Sequence, residues 1–267
     1  MNFFEFLELL AINAGVALAV VILLWLASIR LRDVSIIDMF FALIFSLLTI
    51  TSYLVGGGEP QRKILLLVLV LAWALRMTLY LVHRNWGHGE DPRYTRLRQW
   101  VGSERAFRWL SLRQVFLLQG VVIWLASLPV QLAMCSALPQ QPGPLAAAGT
   151  LLWFTGLVCE TVADHQLARF RRNTDNRGKV LETGLWRYSR HPNYFGELCV
   201  WWGIFLIASE CPLGWLTIIG PLIYSHLVIN VTGQRTLDKK LAREKPDYAR
   251  YIAQTSGLIP LPPRRPH

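Results

Sequence analysis

Arg187-Tyr-Ser-Arg-His-Pro-Asn-Tyr-Phe-Gly-Glu197 runs without a break into the apolar stretch Leu198–Ser209. Its eleven residues include two arginines, a histidine, an asparagine, two tyrosines and a glutamate. Ionisable groups at the mouth of a membrane helix are costly, and they mark chemistry more often than packing. The segment therefore reads as a polar, anion-accepting site at a membrane face.

The rest of the chain supports the membrane reading. Hydrophobic residues make up 53% and charged residues only 16%, less charge than a soluble domain of 267 residues carries. Several apolar runs reach the roughly 17–25 residues needed to cross a bilayer. The expected fold is all-α: a polytopic integral membrane protein forming one membrane domain over 1–267. Seven spans are expected, at about 9–28, 34–55, 64–82, 114–133, 144–168, 193–209 and 213–231. The first run lacks a basic leader and a small-residue cleavage site, so it reads as a span, not a cleaved signal. The cysteines, at 135, 159, 199 and 211, form no C-x-x-C pair and suggest neither metal nor disulfides.

Charge sets the expected sidedness. With seven spans, 24 of the 27 lysines and arginines fall on one side, which the positive-inside rule makes cytoplasmic. The N-terminus is then outside and the C-terminus cytoplasmic. This sorting accounts for the net charge of +10 without invoking nucleic acid.

On that topology, five helices aim polar groups at the cytoplasmic half. Asp38 lies one turn into span 2, while Arg76 and Tyr80 share a face near the end of span 3. Glu160 and Asp164 are four apart in span 5, as are Asn193 and Glu197 in span 6. His226, Asn230 and Gln234 follow the same spacing at the end of span 7. Such groups in hydrocarbon must face one another or a wet cavity. Asp38 also has a purely structural reading, as a partner for Arg76. No G-x-G-x-x-G, phosphate-binding P-loop or histidine box is present. The basic loop Arg169–Lys179, with Arg187, Arg190 and His191, and the loop carrying Arg84, Arg93, Arg96 and Arg98 offer donors for phosphates. Anionic lipid headgroups are the rival occupants. The acids and amides beside these loops favour a nucleotide, whose hydroxyl and amide donors they satisfy.

The run Tyr188–Glu197 resembles the C-terminal signature of the steroid 5α-reductase family, in particular its bacterial branch. Asp33-Val-Ser-Ile-Ile-Asp38, Arg84-Asn-Trp-Gly-His-Gly-Glu-Asp-Pro-Arg-Tyr94 and Lys245–Pro260 are similar to further pieces of that branch. The resemblance extends from about Asp33 onward, with the signature region at about 144–260. It implies seven membrane helices and an NADPH-dependent oxidoreductase acting on CH–CH bonds, of the 3-oxo-5α-steroid 4-dehydrogenase type. Such an enzyme reduces the C4–C5 double bond of 3-oxo-Δ4 steroids, in steroid and lipid metabolism. A lipophilic steroid or similar enone enters from the bilayer. The implied location is a bacterial inner membrane, with the site facing the cytoplasm and a monomer as default.

In the same terms Asp164 matches a ribose-contacting aspartate and Arg171 a phosphate-contacting arginine. Asn193 and Glu197 match the pair at the nicotinamide end, and Arg84 the arginine that ends span 3. The expected cofactor-binding set is Arg84, Arg93, Asp164, Arg171, Lys179, Tyr188, Arg190, His191, Asn193, Tyr194, Asn230, Gln234 and Arg235. The expected catalytic set is Asp38, Tyr80 and Glu197, with Tyr80 and a protonated Asp38 donating to the ketone oxygen. No metal is expected. The chain departs from the animal enzymes where their late histidine run is replaced by Asn230-Val-Thr-Gly-Gln-Arg235. It also has Asp38 in place of their ketone-polarising glutamate, and Tyr80 lies one residue out of register.

Two other classes stay open. Membrane methyltransferases using S-adenosylmethionine, of the isoprenylcysteine or phospholipid type, share an Arg-His-Pro-x-Tyr-x-Gly run. They add a late acidic pair, which Arg235–Glu244 lacks. A non-catalytic lipid-binding protein would bind no nucleotide.

Overall fold

The computed structural model describes residues 3–231 and 233–264, and among them there is no strand. The helices are α1 (Phe3–Leu31), α2 (Ile36–Val55), α3 (Pro60–Asn85), α4 (Pro92–Val101), α5 (Glu104–Ser111), α6 (Leu118–Ala126), α7 (Leu128–Cys135), α8 (Pro144–Arg172), α9 (Pro192–Ser209), α10 (Ile219–His226), α11 (Gln234–Glu244) and α12 (Tyr248–Gln254). A π-helical turn over Leu112–Leu117 joins α5 to α6, and a second one, Leu227–Val231, extends α10.

Six helical runs are long and apolar enough to cross a membrane: Phe3–Leu31, Ile36–Val55, Pro60–Asn85, Glu104–Ala126, Pro144–Arg172 and Gly214–Glu244. Many large apolar side chains on these runs point outward, among them Leu23, Leu75, Leu79, Leu151 and Phe154. Lipid-facing helices require that arrangement, and water does not favour it. The expected run 193–209 forms helix α9 but is not among the six, because its first turns carry Asn193 and Glu197. The expected run 114–133 differs in its bounds. Its helix begins at Glu104 and stops at Ser127, and Leu128–Cys135 forms a separate short helix. Pro129 sits in the first turn of that second piece, where its missing N–H costs nothing.

The chain divides into two compact units, Met1–Gly143 with Ala208–Gly220, and Pro144–Ile207 with Pro221–His267. In the first, α2 packs most extensively against α3 and then against α1. Phe41, Phe45 and Trp73 form an edge-on aromatic cluster there, with centroids 5.7–6.4 Å apart. Three fully buried polar side chains are linked by hydrogen bonds inside this unit, although Asn13 Oδ1 has no partner among the described residues. Asn13 Nδ2 donates to Ser52 Oγ at 2.8 Å and to Gln131 Oε1 at 3.0 Å. Gln131 Nε2 in turn donates to Ser127 Oγ at 2.8 Å. Without such partners these donors would be orphaned in hydrocarbon.

Helix starts follow the expected capping chemistry. Glu59 precedes Pro60 and accepts from the backbone N–H groups of Gln61 and Arg62; Asp91 precedes Pro92 and accepts from that of Arg93. Arg62, which the sequence presents as a loop charge, is buried. It donates to the carbonyls of Ser136, Leu138 and Pro139 at 3.0–3.1 Å and so ties the 136–139 loop to α3.

In the second unit, α8 and α9 meet through glycines. A Cβ on Gly149 would lie 2.5 Å from the Gly203 carbonyl oxygen, and one on Gly156 would lie 2.5 Å from that of Gly196. Close backbone approach through small residues is the usual packing device between membrane helices. Past α8, Leu181 and Trp186 pack on Ala163, and the Trp186 indole donates to the Ala163 carbonyl at 3.1 Å.

Candidate functional site

The first unit gathers its polar groups around Asp38. The two motifs read separately in the sequence, 33–38 and 84–94, dock on each other. Glu90 accepts from the Val34 N–H at 3.0 Å, and the Asp91 N–H donates to Ser35 Oγ at 3.2 Å. This places Arg93 Nη2 2.8 Å from Asp38 Oδ2 and Tyr94 Oη 3.1 Å from Asp38 Oδ1. Gln119 Nε2 donates to the same oxygen at 3.2 Å. Asp38 thus accepts from three donors. Arg76 is not its partner. Arg76 lies over the Tyr80 ring at 5.3 Å, and Arg84 lies over it at the same distance. Burial first, then the Asp38 carboxylate, push the Tyr94 phenol up, so it stays a donor.

The second unit holds two polar layers. In the first, Asn193 Nδ2 donates to Asp164 Oδ1 at 3.2 Å. Asn193 Oδ1 is buried and has no hydrogen-bond partner among the described residues. One turn further along α9, Glu197 accepts from Tyr224 Oη of α10 at 2.5 Å, and both side chains are buried. Asn230 Nδ2 lies 3.2 Å from His226 Nδ1, while Asn230 Oδ1 is again buried without a partner among the described residues.

In the second layer, Arg190 and His191 converge on Asp238. Arg190 Nη2 lies 2.9 Å from Asp238 Oδ2, His191 Nε2 lies 2.8 Å from Oδ1, and Tyr248 Oη donates to Oδ1 at 2.6 Å. Arg190 also donates to the carbonyls of Ile252 and Thr255, and Ser189 Oγ donates to that of Leu258. The Tyr188 carbonyl accepts from the Leu261 N–H at 3.0 Å. The first half of the signature therefore straps down the C-terminal tail. Tyr194 stacks on His191 with centroids 5.3 Å apart and planes 2° apart. Arg171, Lys179, Tyr188 and Arg235 are exposed, and Gln234 is half-buried against Gly257.

Tyr94, Gln119, Tyr224 and Asp238 complete these clusters and escape the sequence reading. Tyr224 had a weak signal, a phenol inside an apolar run that must find an acceptor. Asp238 had another, as a lone acid in a basic stretch. Among the described residues no group of three or more metal-ligating side chains occurs.

The apolar helices and buried polar clusters define a helical integral membrane protein. A family model described as "Protein of unknown function (DUF1295)" matches residues 24–255, and the chain belongs to that family. Over 265 residues it is 26% identical to the uncharacterized protein C594.04c of Schizosaccharomyces pombe, covering 89% of this chain and 75% of that protein. Shorter segments are similar to 3-oxo-5-alpha-steroid 4-dehydrogenase 1. The match to the Mus musculus protein is 38% identical over 66 residues, covering 25% of this chain and 26% of that protein. The match to the Bos taurus protein is 33% identical over 72 residues, covering 27% and 28%. The chain thus spans about a quarter of the length of these curated dehydrogenases. No solved structure matches it.

Proposed function

We propose that this chain is a membrane-embedded, NADPH-dependent reductase of 3-oxo-Δ4 steroids or similar enones, with seven spans counting α9 and a cytoplasmic C-terminus. The local likeness to 3-oxo-5-alpha-steroid 4-dehydrogenases supports the reaction class. The observation that carries the cofactor is the buried, unpartnered Asn193 Oδ1 beside Asp164. An unpaired buried acceptor is expensive, and an amide donor such as that of nicotinamide would satisfy it. Asp164 offers a carboxylate for ribose hydroxyls. Arg171, Lys179 and Arg235, exposed and cationic, suit phosphates. Arg84 is assigned to the same set. The residues present thus fit the cofactor's chemistry.

When bound, NADPH would supply the hydride that adds to the β-carbon of the enone. The protein's task is then orientation, exclusion of water and stabilisation of negative charge on the substrate's ketone oxygen. Tyr80 is assigned as the donor to that oxygen; its ring lies under two guanidinium groups. Asp38, beside Arg93 and Tyr94, is assigned with Tyr80 to the catalytic set. Glu197, fixed by Tyr224, supports the nicotinamide end. Arg190, His191, Tyr188, Tyr194 and Gln234 shape the region by holding the tail, and Asn230 offers a second amide acceptor.

The test is NADPH oxidation by the purified chain with testosterone, progesterone and simpler enones. Substrate-dependent oxidation with one product reduced at C4–C5 is expected. No turnover on any enone, with S-adenosylmethionine binding instead, would assign the site to methyl transfer.

A further inference from the structure

In the first unit, a cavity of about 180 Å³ lies among the end of α1, α4 and α5. Ser28, Arg32, Arg98, Glu104, Arg108 and Ser111 line it. Arg98 is committed: it pairs with Glu90 and Glu104 at 2.8 Å each, and its guanidinium lies 4.1 Å from the Phe107 ring centroid. Arg32 and Arg108 differ. Their side chains make no ion pair or hydrogen bond among the described residues. The cavity wall therefore presents two uncommitted guanidinium groups.

The backbone at Arg32 is unusual. The Asp33 N–H bonds back to the Ser28 carbonyl at 3.1 Å, closing the end of α1, and Arg32 takes φ +52° in that closure. Glycine is the customary residue at this helix-ending position, because a side chain in left-handed backbone is strained. An arginine here keeps a cation on the cavity wall against that strain. Strained side-chain positions of this kind cluster at ligand sites.

The depth of the cavity identifies the ligand class. Arg32 directly follows a membrane-length apolar helix whose last residue, Leu31, is exposed. Trp109, next to Arg108, and Trp100, next but one to Arg98, are both exposed. The Trp25 indole donates to the Arg108 carbonyl at 3.2 Å. Tryptophans gather at headgroup level, where basic pockets between helices bind anionic lipid.

We propose that this cavity is a binding site for the phosphodiester headgroup of an anionic phospholipid, held by Arg32 and Arg108. Glu104 retains lone pairs to accept a headgroup hydroxyl, as glycerol carries. A choline headgroup would bring its own cation against both arginines.

The test uses the full chain in detergent and reads melting temperature with dioctanoyl phosphatidylglycerol, dioctanoyl phosphatidylcholine or inorganic phosphate at equal concentration. Phosphatidylglycerol should raise the melting temperature of the wild type well beyond the other two. Arg32→Gly and Arg108→Gln should each lose most of that rise. Arg32→Gly relieves the backbone, so without lipid it should melt no lower than the wild type, which separates ligand loss from misfolding. A full lipid response in both variants would overturn the site. An equal response to inorganic phosphate would overturn the lipid as its ligand.

Discussion

Asn193 donates its amide to Asp164 at 3.2 Å and leaves its own carbonyl oxygen buried without a partner among the described residues. One side chain is thus anchored at one end and available at the other. Asn193→Leu is close in size and removes the acceptor oxygen along with the amide donor. NADPH binding should weaken by roughly 1–3 kcal/mol, about 5- to 160-fold, the cost of losing a buried hydrogen-bonding group. Titration of NADPH into wild type and variant measures it, and an unchanged dissociation constant would remove Asn193 from the cofactor site.

Tyr80 and Arg171 carry separable roles in the proposal. Tyr80→Phe should lower kcat by about 10²–10³, as loss of a transition-state donor does, while NADPH affinity holds. Turnover equal to wild type would exclude Tyr80 as the donor. Arg171→Ala should weaken NADPH more than NADH if the guanidinium meets the 2′-phosphate. Equal loss for both cofactors would assign it to the pyrophosphate.

The strap formed by Arg190, His191, Asp238 and Tyr248 predicts an alkaline limit to stability. Burial first, then the bond to Asp238, raise the Tyr248 phenol above its ordinary value. The folded state therefore holds this proton more tightly than the unfolded chain. The stabilisation is whole below the unfolded value of about 10, and it is lost as pH rises from there toward the folded value. Melting temperature should fall above about pH 10, and Tyr248→Phe should flatten that slope. A slope equally steep in Tyr248→Phe would assign the alkaline loss to other groups.

Gly156 lies where α8 touches α9, and a Cβ added there would sit only 2.5 Å from the Gly196 carbonyl oxygen. Gly156→Ala should force the helices apart and destabilise by about 1–3 kcal/mol, as overpacking does. Gly15→Ala is the control, since a Cβ there meets nothing within 4 Å. Equal melting temperatures for the two variants would mean that the α8–α9 contact is not tight.

The extent of legibility follows from the range of each interaction. Apolar runs show themselves through local composition, so all six membrane-length helices fall on expected spans. Helix starts at Pro60 and Pro92 are equally local, each set by a preceding acid and a proline. The break at Ser127 is not visible in hydropathy, because the run stays apolar across it. The pairings inside the candidate site are non-local. Asp38 meets Arg93 across 55 positions, and His191 meets Asp238 across 47. The sequence offers Arg190 and His191 as donors for phosphates and does not show that Asp238 engages both. The structural alternative for Asp38, a pairing with Arg76, is not the one formed: Arg76 covers Tyr80 instead.

The most direct measurement is the shift in melting temperature of the detergent-purified chain with NADPH and, separately, with S-adenosylmethionine. At about 100 times its dissociation constant a ligand stabilises by roughly 2.7 kcal/mol, which is a readable shift. NADPH should stabilise the chain, S-adenosylmethionine should not, and the NADPH shift should shrink in Asn193→Leu. Stabilisation by S-adenosylmethionine with no response to NADPH would contradict the proposed function.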